Sequence, residues 1–332
     1  MGMTIRKIAE LAGVAPTTVS LVLRNSKKIS EETRRHVLRI IEETDYFPNQ
    51  SGKLLKKGRT DAVAVLSSFF QSLFKMDILN GVEQAIFNTR YELRQYYAQP
   101  GSEVRRCKEI LFGKMADAVI LLNYVPDSDF LEKMRRSRHP LVLVEDVAPG
   151  FPGVCFDNQK AIEQAMGYLV NKGRRRIALA VGQTTYAGHS FVEDRLKAYL
   201  KALKDFDLAY SKIVDIPDYS LESGRLIYRL LRQKGELPDA LLCASGDITA
   251  AGFLQEALNN GLRFPDDLAL IGFDDSIVAS TTFLGLTTIR QPVQAMGQAA
   301  LGLALSLIQN NDPEAWSKLI TFPPELVIRQ TA

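Results

Sequence analysis

The sequence predicts an α/β protein in which a small all-helical N-terminal domain precedes a larger core of two doubly wound lobes with parallel sheets. Two observations lead to this prediction. From Asp61 onward, short and nearly continuous apolar runs alternate with segments of helical periodicity, a pattern typical of parallel strands that are covered by helices on both faces. The first fifty residues lack such runs and contain three short segments with helical spacing.

Length and composition indicate a globular protein. The chain has 332 residues, of which 46% are apolar and 24% charged, which fits two or three domains. No segment has the length and apolarity of a signal peptide or of the roughly 20 residues that span a bilayer. Cys107, Cys155 and Cys243 are far apart and odd in number, which supports neither disulfides nor a zinc site. We therefore expect a cytoplasmic protein with no membrane contact, no metal and no cofactor.

The charge is unevenly distributed along the chain. Residues 1–60 hold 12 lysines and arginines against 6 acidic residues, whereas the remainder holds 29 against 32. A basic head on a mildly acidic body favours contact of the head with nucleic acid or an anionic surface. A merely solvated basic face is the alternative at this point.

The first two helices are separated by a tight turn. Thr4 is suited to cap a first helix with Ile8 and Leu11 on one face, and Gly13 is suited to end it because glycine tolerates a left-handed conformation. Pro16 is favourable at the first position of a second helix, because its missing N–H costs nothing there. The second helix is predicted near residues 16–24.

A third helix is predicted after Ser30. This residue precedes Glu31 and Glu32, so it reads as an N-cap followed by acids at the positive end of a helix. Val37 and Ile40 then supply an inward face. Three short helices with a tight turn describe either a helix-turn-helix or an ordinary small helical domain. Outward hydroxyls on the second helix favour DNA, since they can bond phosphates or base edges.

The first fifty residues also resemble the DNA-binding domain of LacI/GalR-type bacterial transcription regulators. The resemblance lies in the AGV turn, the TVS start of the second helix, the S-x-x-T-R segment and the closing Y-x-P-N of the run TIRKIAELAGVAPTTVSLVLRNSKKISEETRRHVLRIIEETDYFPN. It implies that bases are contacted by Pro16, Thr17 and Leu21. It implies that phosphates are contacted by Thr4, Thr18, Ser20, Arg24 and Lys28.

Two positions depart from the family pattern. Ala15 replaces the usual serine or threonine, and Leu21 is apolar where many members have a long polar side chain. A leucine can contact a thymine methyl group but cannot hydrogen-bond a guanine. The operator sequence therefore cannot be copied from a relative.

The core begins at Asp61, and its apolar runs predict strands. These runs are AVAVLSS, YELRQYYA, AVILLN, LVLVE, RIALAVG, IVDIP, ALLCAS and LALIGFDD. Helical patterns lie between them, including segments near residues 73–88, 189–204 and 247–260. Ligands of such folds bind beyond the carboxyl ends of the strands. Polar residues at those ends are Asn123, Asp157, Ser245, Asp247, Asp274 and Asp275, although strand-end acids such as the last two can also be turn or cap residues.

The core resembles the effector domain of the same family. The motifs CFDN, GRRRIALAVG, RLKAY, DYS, IGFDD, LTTIRQP and PPELVIR occur in the family's order. The resemblance implies a periplasmic-binding-protein-like core in which the chain crosses between the lobes three times. It divides the chain into a headpiece (residues 1–48), a hinge (49–60) and a core (61–332), with lobe 1 at about 61–157 plus 290–320 and lobe 2 at about 158–289 plus 321–332.

The resemblance also assigns a set of effector-binding residues. They are Phe74, Asn123, Asp157, Arg195, Tyr219 and Asp274. Aromatic faces beside polar side chains suit a sugar, whereas an arginine at the position of Arg195 is alternatively a surface residue on a helix. Gly246 departs from the asparagine that is common in the family, which leaves open that one ligand hydrogen bond is missing.

The stretch QSGKLLKKGRT at residues 50–60 admits three readings: a solvated linker, a membrane-surface anchor, or an element that orders on a polyanion. It lies where the family carries a hinge helix, which implies that Leu55 wedges into the minor groove beside its neighbour Leu54. Lys53 and Lys56 are then placed to meet phosphates. Gly52 stands where relatives usually have alanine, and glycine costs a helix about 1 kcal/mol relative to alanine.

Other functional classes have less support. The chain has three histidines and no GxGxxG, P-loop or GxSxG string, so no enzyme is indicated. We expect a homodimeric repressor that binds double-stranded operator DNA under control of a small effector, most simply a sugar. The alternatives are a weakened pocket controlled by a non-sugar ligand or a protein corepressor, and, more remotely, a sugar-binding receptor.

Replacement of the wedge residue tests the hinge prediction. We expect Leu55→Ala to weaken specific operator binding far more than non-specific DNA binding, because a wedge acts only where a base step is unstacked. Electrophoretic mobility shifts with operator and random duplexes measure both affinities, and Gly52→Ala serves as a companion variant that should tighten operator binding. Equal losses on the two duplexes for Leu55→Ala would refute the wedge.

Overall fold

The computed structural model describes residues 4–23, 26–44, 59–68, 72–182, 190–233, 235, 237–310 and 312–332. The chain separates into two compact units, Met1–Thr60 and Asp61–Ala332. Arg24, Lys53, Leu54, Leu55 and Lys56 lie outside the described residues, so their assigned contacts with DNA stay predictions. No helix in the described ranges is both long and apolar enough to cross a membrane.

The described part of the N-terminal unit contains three helices, Ile5–Leu11, Pro16–Leu23 and Glu31–Glu43. The predicted caps are confirmed: the hydroxyl of Thr4 accepts a hydrogen bond from the backbone N–H of Lys7, and that of Ser30 from the N–H of Thr33. Gly13 has a φ of +62°, as expected for a residue that ends a helix in the left-handed region. The three helices pack around a small core of Ile8, Ala9, Ala12, Val19, Val22, Val37 and Ile40.

The larger unit contains two six-stranded sheets, which confirms the predicted fold class. The first sheet is wholly parallel. Its strands are β1 (Ala62–Ser67), β2 (Glu92–Tyr97), β3 (Ala118–Leu122), β4 (Leu141–Val144), β5 (Gly153–Phe156) and β11 (Leu319–Phe322). Every residue of β1, β3 and β4 is buried, which explains why these strands appear in the sequence as continuous apolar runs.

The second sheet repeats the pattern of the first. Its strands are β6 (Ile177–Gly182), β7 (Lys212–Ile216), β8 (Ala240–Cys243), β9 (Ala269–Asp274), β10 (Thr287–Arg290) and β12 (Glu325–Val327). All pairs are parallel except that of β12 with β10. The strand order is β2-β1-β3-β4-β5 in one sheet and β7-β6-β8-β9-β10 in the other, and each sheet gains one C-terminal strand at its edge. This doubly wound order places a ligand crevice beyond the carboxyl ends of the central strands.

Helices cover both sheets. Those of the first lobe are Leu73–Ile86, Glu103–Phe112, Ser128–Ser137 and Val293–Gln309, followed by the 3₁₀ helix Pro313–Ser317. Those of the second lobe are Asn158–Asn171, Ser190–Asp205, Leu221–Gln233, Asp247–Asn259 and Ile277–Thr281. The helices predicted near residues 73–88, 189–204 and 247–260 are therefore confirmed within two residues at each end.

The described chain passes between the two sheets three times. It leaves the first sheet after β5, returns after β10 and crosses again between β11 and β12. The apolar runs named above do not include β5, β10, β11 or β12, although the strand-end position given to Asp157 corresponds to the end of β5. Strands β10, β11 and β12 each contain exposed residues, so they do not appear in the sequence as continuous apolar runs.

Close packing of two helices holds the C-terminal helix Val293–Gln309 on the first lobe. Gly81 and Gly297 are the contact points: a Cβ at Gly81 would lie 2.1 Å from the carbonyl oxygen of Gln294, and one at Gly297 would lie 2.1 Å from that of Ile78. Only glycine permits backbones to approach so closely. By contrast, a Cβ at Gly302 on the same helix would meet nothing within 4 Å.

A matched pair of alanine variants tests this packing. Gly297→Ala should destabilise the core by about 1–3 kcal/mol, because the added methyl group overpacks a backbone contact. Gly302→Ala should instead stabilise it by up to about 1 kcal/mol, since alanine is the better helix former. Urea unfolding of both variants measures the difference. Equal effects of the two substitutions would contradict the close approach.

Candidate functional site

A cavity of about 190 Å³ lies between the two sheets of the larger unit. Its polar lining comes mainly from residues that follow the carboxyl ends of strands in both lobes. Asn123 follows β3, Glu145 follows β4, Ser245 lies beyond β8, and Gln291 follows β10. The cavity is smaller than the roughly 300–1,000 Å³ of typical drug-sized ligand sites. It therefore suits a small ligand.

Five of the residues assigned to effector binding line this cavity. They are Phe74, Asn123, Arg195, Tyr219 and Asp274. The sixth, Asp157, does not line it, so that assignment is corrected. Its carboxylate accepts a hydrogen bond from the backbone N–H of Lys160 at 2.9 Å and caps the helix Asn158–Asn171. The free N–H groups at the helix N-terminus therefore bind the carboxylate of this strand-end acid.

Arg195 is the central buried group of the site, with 5% of its surface exposed. Its Nε donates to Oδ1 of Asn158 at 2.7 Å and one terminal nitrogen donates to the carbonyl oxygen of Ala244 at 2.7 Å. The other terminal nitrogen lies 3.7 Å from Oε1 of Glu145 in the opposite lobe. The guanidinium also stacks over the ring of Phe273 at 3.8 Å. The alternative that Arg195 is a surface residue is therefore wrong.

Asp274 occupies a strained backbone position at the end of β9. Its φ of +103° is rare for any residue other than glycine, and such strain costs on the order of 1–3 kcal/mol. One carboxylate oxygen accepts a 2.6 Å hydrogen bond from the side-chain amide of Gln291. Burial raises the pKa of Asp274 to about 6, although the charge of Arg195 opposes the rise. The site thus holds a carboxylate whose ionised form is disfavoured by burial.

The next residue, Asp275, braces this turn. Its two carboxylate oxygens accept hydrogen bonds from Arg290 and Arg329, both at 2.7 Å. Arg329 belongs to the C-terminal segment, so the end of the chain ties down the turn that carries Asp274. The two neighbouring aspartates therefore differ: Asp274 faces the cavity, and Asp275 is an ion-pair residue of the turn.

Glu145 is a site residue that sequence reasoning missed. It has 4% of its surface exposed, and burial raises its pKa to about 7 despite the opposing charge of Arg195. Its position directly after the apolar run LVLV was a signal for it, because strand-end polar residues are the expected ligand contacts of this fold.

Lys75 is a second missed residue, and only the fold reveals it. It lies in the first turn of the helix Leu73–Ile86 with 4% of its surface exposed and lines the cavity. Desolvation lowers its pKa to about 8, while the buried acids Asp146 and Glu103 act in the opposite direction. No local sequence pattern marks a lysine for burial.

Asp247 lies at the edge of the cavity and has a structural role. It accepts hydrogen bonds from the N–H of Ser276 at 2.7 Å, from the Ser276 hydroxyl at 3.0 Å and from the hydroxyl of Thr288 at 2.6 Å. Burial, followed by the nearby charge of Asp274, raises its pKa to about 8. Its bonds hold together the segments that follow β8 and β9 and the strand β10.

Gly246 has a backbone reason for being glycine. Its φ is +99°, and a Cβ there would lie 3.1 Å from Oδ2 of Asp274. An asparagine in this conformation would be strained and would press on that carboxylate. The glycine that stands here in place of the family's common asparagine therefore fits both its own backbone conformation and the adjacent carboxylate of Asp274.

The N-terminal unit presents the described DNA-binding candidates on its surface. Thr4, Pro16, Thr17 and Lys28 are exposed, and Thr18, Ser20 and Leu21 are half-buried, while Val19 and Val22 of the same helix are buried. The second helix therefore turns its apolar side inward and leaves its polar side available. Such a face is what a helix needs to enter the major groove.

Comparison with known proteins connects both sites to one family. Residues 4–49 match the family described as "Bacterial regulatory proteins, lacI family", and residues 166–332 match "Periplasmic binding protein-like domain". The HTH-type transcriptional regulator GalR of Escherichia coli is 30% identical over 334 residues, with 99% of this chain and 95% of the relative covered. The HTH-type transcriptional repressor PurR of Klebsiella pneumoniae is 31% identical over 339 residues, with 99% and 96% covered.

Solved structures agree with these matches over the whole chain. A structure of the Lac repressor dimer bound to operator and the anti-inducer ONPF aligns with a TM-score of 0.83 at 24% identity, covering 100% of this chain and 99% of the other. A complex of the transcriptional regulator CelR with cellobiose aligns with a TM-score of 0.72 at 27% identity, covering 100% of both chains.

The pH dependence of stability tests the burial of Glu145. The folded state binds the Glu145 proton more tightly than the unfolded state does, because the folded pKa is raised. The stability that this tighter proton binding by Glu145 contributes is therefore complete below the unfolded pKa of about 4.3, and it is lost as the pH rises through about 7. As the pH rises from 5 to 8, the unfolding free energy of Glu145→Gln should therefore increase relative to that of the parent chain. Urea titrations at four pH values measure the change, with Glu314→Gln at an exposed site as control; a difference that does not vary with pH would refute the raised pKa.

Proposed function

Because this chain belongs to the LacI/GalR family of bacterial transcriptional regulators, we propose that it is a repressor that binds a near-palindromic operator as a homodimer. The chain is thus a DNA-binding transcriptional regulator. A small polyhydroxylated ligand in the cavity, most simply a sugar, is proposed to control the affinity for the operator.

The observation that carries the effector proposal is the buried pair of Arg195 and Glu145 at the cavity. Each residue comes from a different lobe, and their 3.7 Å contact spans the space between the sheets. A ligand that bonds either group acts on both lobes at once. Aromatic side chains of Phe74, Phe191 and Tyr219 also line the cavity, and aromatic walls beside polar groups suit the apolar C–H faces of a sugar.

The three crossings between the sheets permit the two lobes to move relative to each other when a ligand binds. Few segments join the sheets, so a change in their relative arrangement requires backbone rotation at a few positions only. A ligand shifts DNA affinity to the extent that it prefers one arrangement of the lobes over another. The geometry of the cavity is compatible with an inducer and with a corepressor.

Exposed apolar side chains support the homodimer. Phe87 in the first lobe is 83% exposed, and Ile277 and Phe283 in the second lobe are 68% and 93% exposed. A partner that covers these side chains would gain the free energy of burying their apolar surface. Twofold symmetry would then present two headpieces to two half-sites of one operator.

Selection of bound sites from random DNA tests the proposal. The full-length chain should enrich near-palindromic sites, and affinity for them should fall steeply with salt, because phosphate contacts release counterions. Thr17→Val should cost about 1–3 kcal/mol of specificity at one base position, since it removes a hydroxyl from a base contact but keeps its shape. Sites without dyad symmetry, or a flat salt response, would contradict the proposal.

The same selection, repeated with sugars and sugar phosphates, tests the effector. At least one compound should change the operator affinity. The control is Arg195→Lys, which keeps the charge but loses the planar set of donors and should abolish the response. If no sugar acts, control by a non-sugar ligand or a protein corepressor takes the place of the sugar.

A further inference from the structure

Three buried oxygen atoms around the cavity accept no hydrogen bond from any residue in the described part of the chain. They are Oδ1 of Asn123, Oε2 of Glu145 and Oε1 of Gln291. All three side chains line the cavity, and Glu145 and Gln291 are each only 4% exposed. A buried acceptor without a partner costs about 1–3 kcal/mol. A ligand that fills the cavity is therefore required to bring donors.

Part of the hydrogen-bonding capacity of the cavity wall is already used. Arg195 donates to Asn158 and Ala244, which leaves its remaining N–H groups for a ligand, and the amide of Gln291 donates to Asp274. The ammonium group of Lys75 interacts with the charges of Asp146 and Glu103. Serine hydroxyls on the wall both donate and accept. A suitable ligand consequently brings donors to the three free oxygens and acceptors to Arg195.

The charge of the site points in the same direction. Arg195 interacts with both Glu145 and Asp274, and it approaches Glu145 only to 3.7 Å. The positive charge of Lys75 is countered by two further buried acids. Burial raises the pKa of both Glu145 and Asp274 by more than the charge of Arg195 lowers it. A cationic ligand group would supply further positive charge.

We propose that the effector is an amino sugar, whose protonated primary amine faces Glu145 and Asp274 and donates to the free oxygens of Glu145 and Gln291. An ammonium group donates three hydrogen bonds and accepts none, so it suits the free oxygens of Glu145 and Gln291 and the negative charge beside them. The remaining hydroxyls would meet Asn123 and Arg195, and the aromatic walls would cover the ring. This inference rests on the proposed function, because it names the ligand class of the proposed effector site.

Isothermal titration of the full-length protein tests the inference with matched compounds. The compounds are D-glucosamine, D-glucose and N-acetyl-D-glucosamine, and the corresponding set based on galactose. In at least one set, the amine should bind about tenfold or more tightly than both the hydroxyl parent and the acetylated form, a difference of about 1.4 kcal/mol. Protons should be released to the buffer on binding, because the ammonium group favours the ionised forms of Glu145 and Asp274.

Two isosteric variants change the charge of the cavity but hardly its shape, so they distinguish an electrostatic role of these residues from a structural one. Glu145→Gln should bring the amine and its hydroxyl parent within about threefold of each other, because one charge is lost. Asn123→Asp should widen the preference, because it adds a charge at a residue whose φ of +50° aspartate tolerates. The control Glu314→Gln, at an exposed acid that does not line the cavity, should leave the preference unchanged.

The outcomes separate this inference from the proposed function. A neutral parent sugar that binds as tightly as its amine overturns the amino sugar, and if that sugar also changes operator affinity, the proposed regulator stands. The absence of binding by every amine in the panel likewise overturns the inference. Loss of sequence-specific DNA binding by the full-length chain would overturn the proposed function, whichever sugar binds the cavity.

Discussion

The burial of one guanidinium group organises the two-lobed unit of this protein. Arg195 lies out of water between two sheets, and an uncompensated charge there would be costly. Its compensation comes from both lobes: the side chain of Asn158 and the carbonyl of Ala244 in the second, and the carboxylate of Glu145 in the first. The strand ends must therefore be placed so that these groups converge. The cavity is the space left where they meet.

A second set of contacts keeps that convergence in place. Asp247 joins the segments after β8 and β9 to β10, and Asp275 joins the turn of Asp274 to the C-terminal segment through Arg329. On the first lobe, the close backbone contacts at Gly81 and at Gly297 hold the helix that follows the second crossing. The C-terminal part of the chain thus supports both walls of the site, which explains why its strands and helix belong to two different lobes.

The comparison of Asp157 with Glu145 shows what local reasoning can and cannot decide. Both acids directly follow a buried parallel strand, and both were equally eligible as ligand contacts by that criterion. Asp157 is followed at once by a helix, whose free N–H groups take its carboxylate. Glu145 is not the cap of a helix and lies buried at the cavity against Arg195. The two acids differ because a helix begins directly after Asp157. A rule that considers only the position at the end of a strand does not include the element that follows.

The sequence by itself determined most of the regular elements, their αβ alternation and the organisation into a helical head and a doubly wound core, because these follow from local periodicity and from caps such as Thr4 and Ser30. Its family motifs also led to five residues that line the cavity. Only the tertiary structure decided that Lys75 and Glu145 are buried, that Asp274 is strained and that Gly246 accommodates it. Burial, electrostatic compensation and hydrogen-bond balance depend on groups that are distant in sequence, such as Arg195 and Glu145, and are set only when the two sheets face each other.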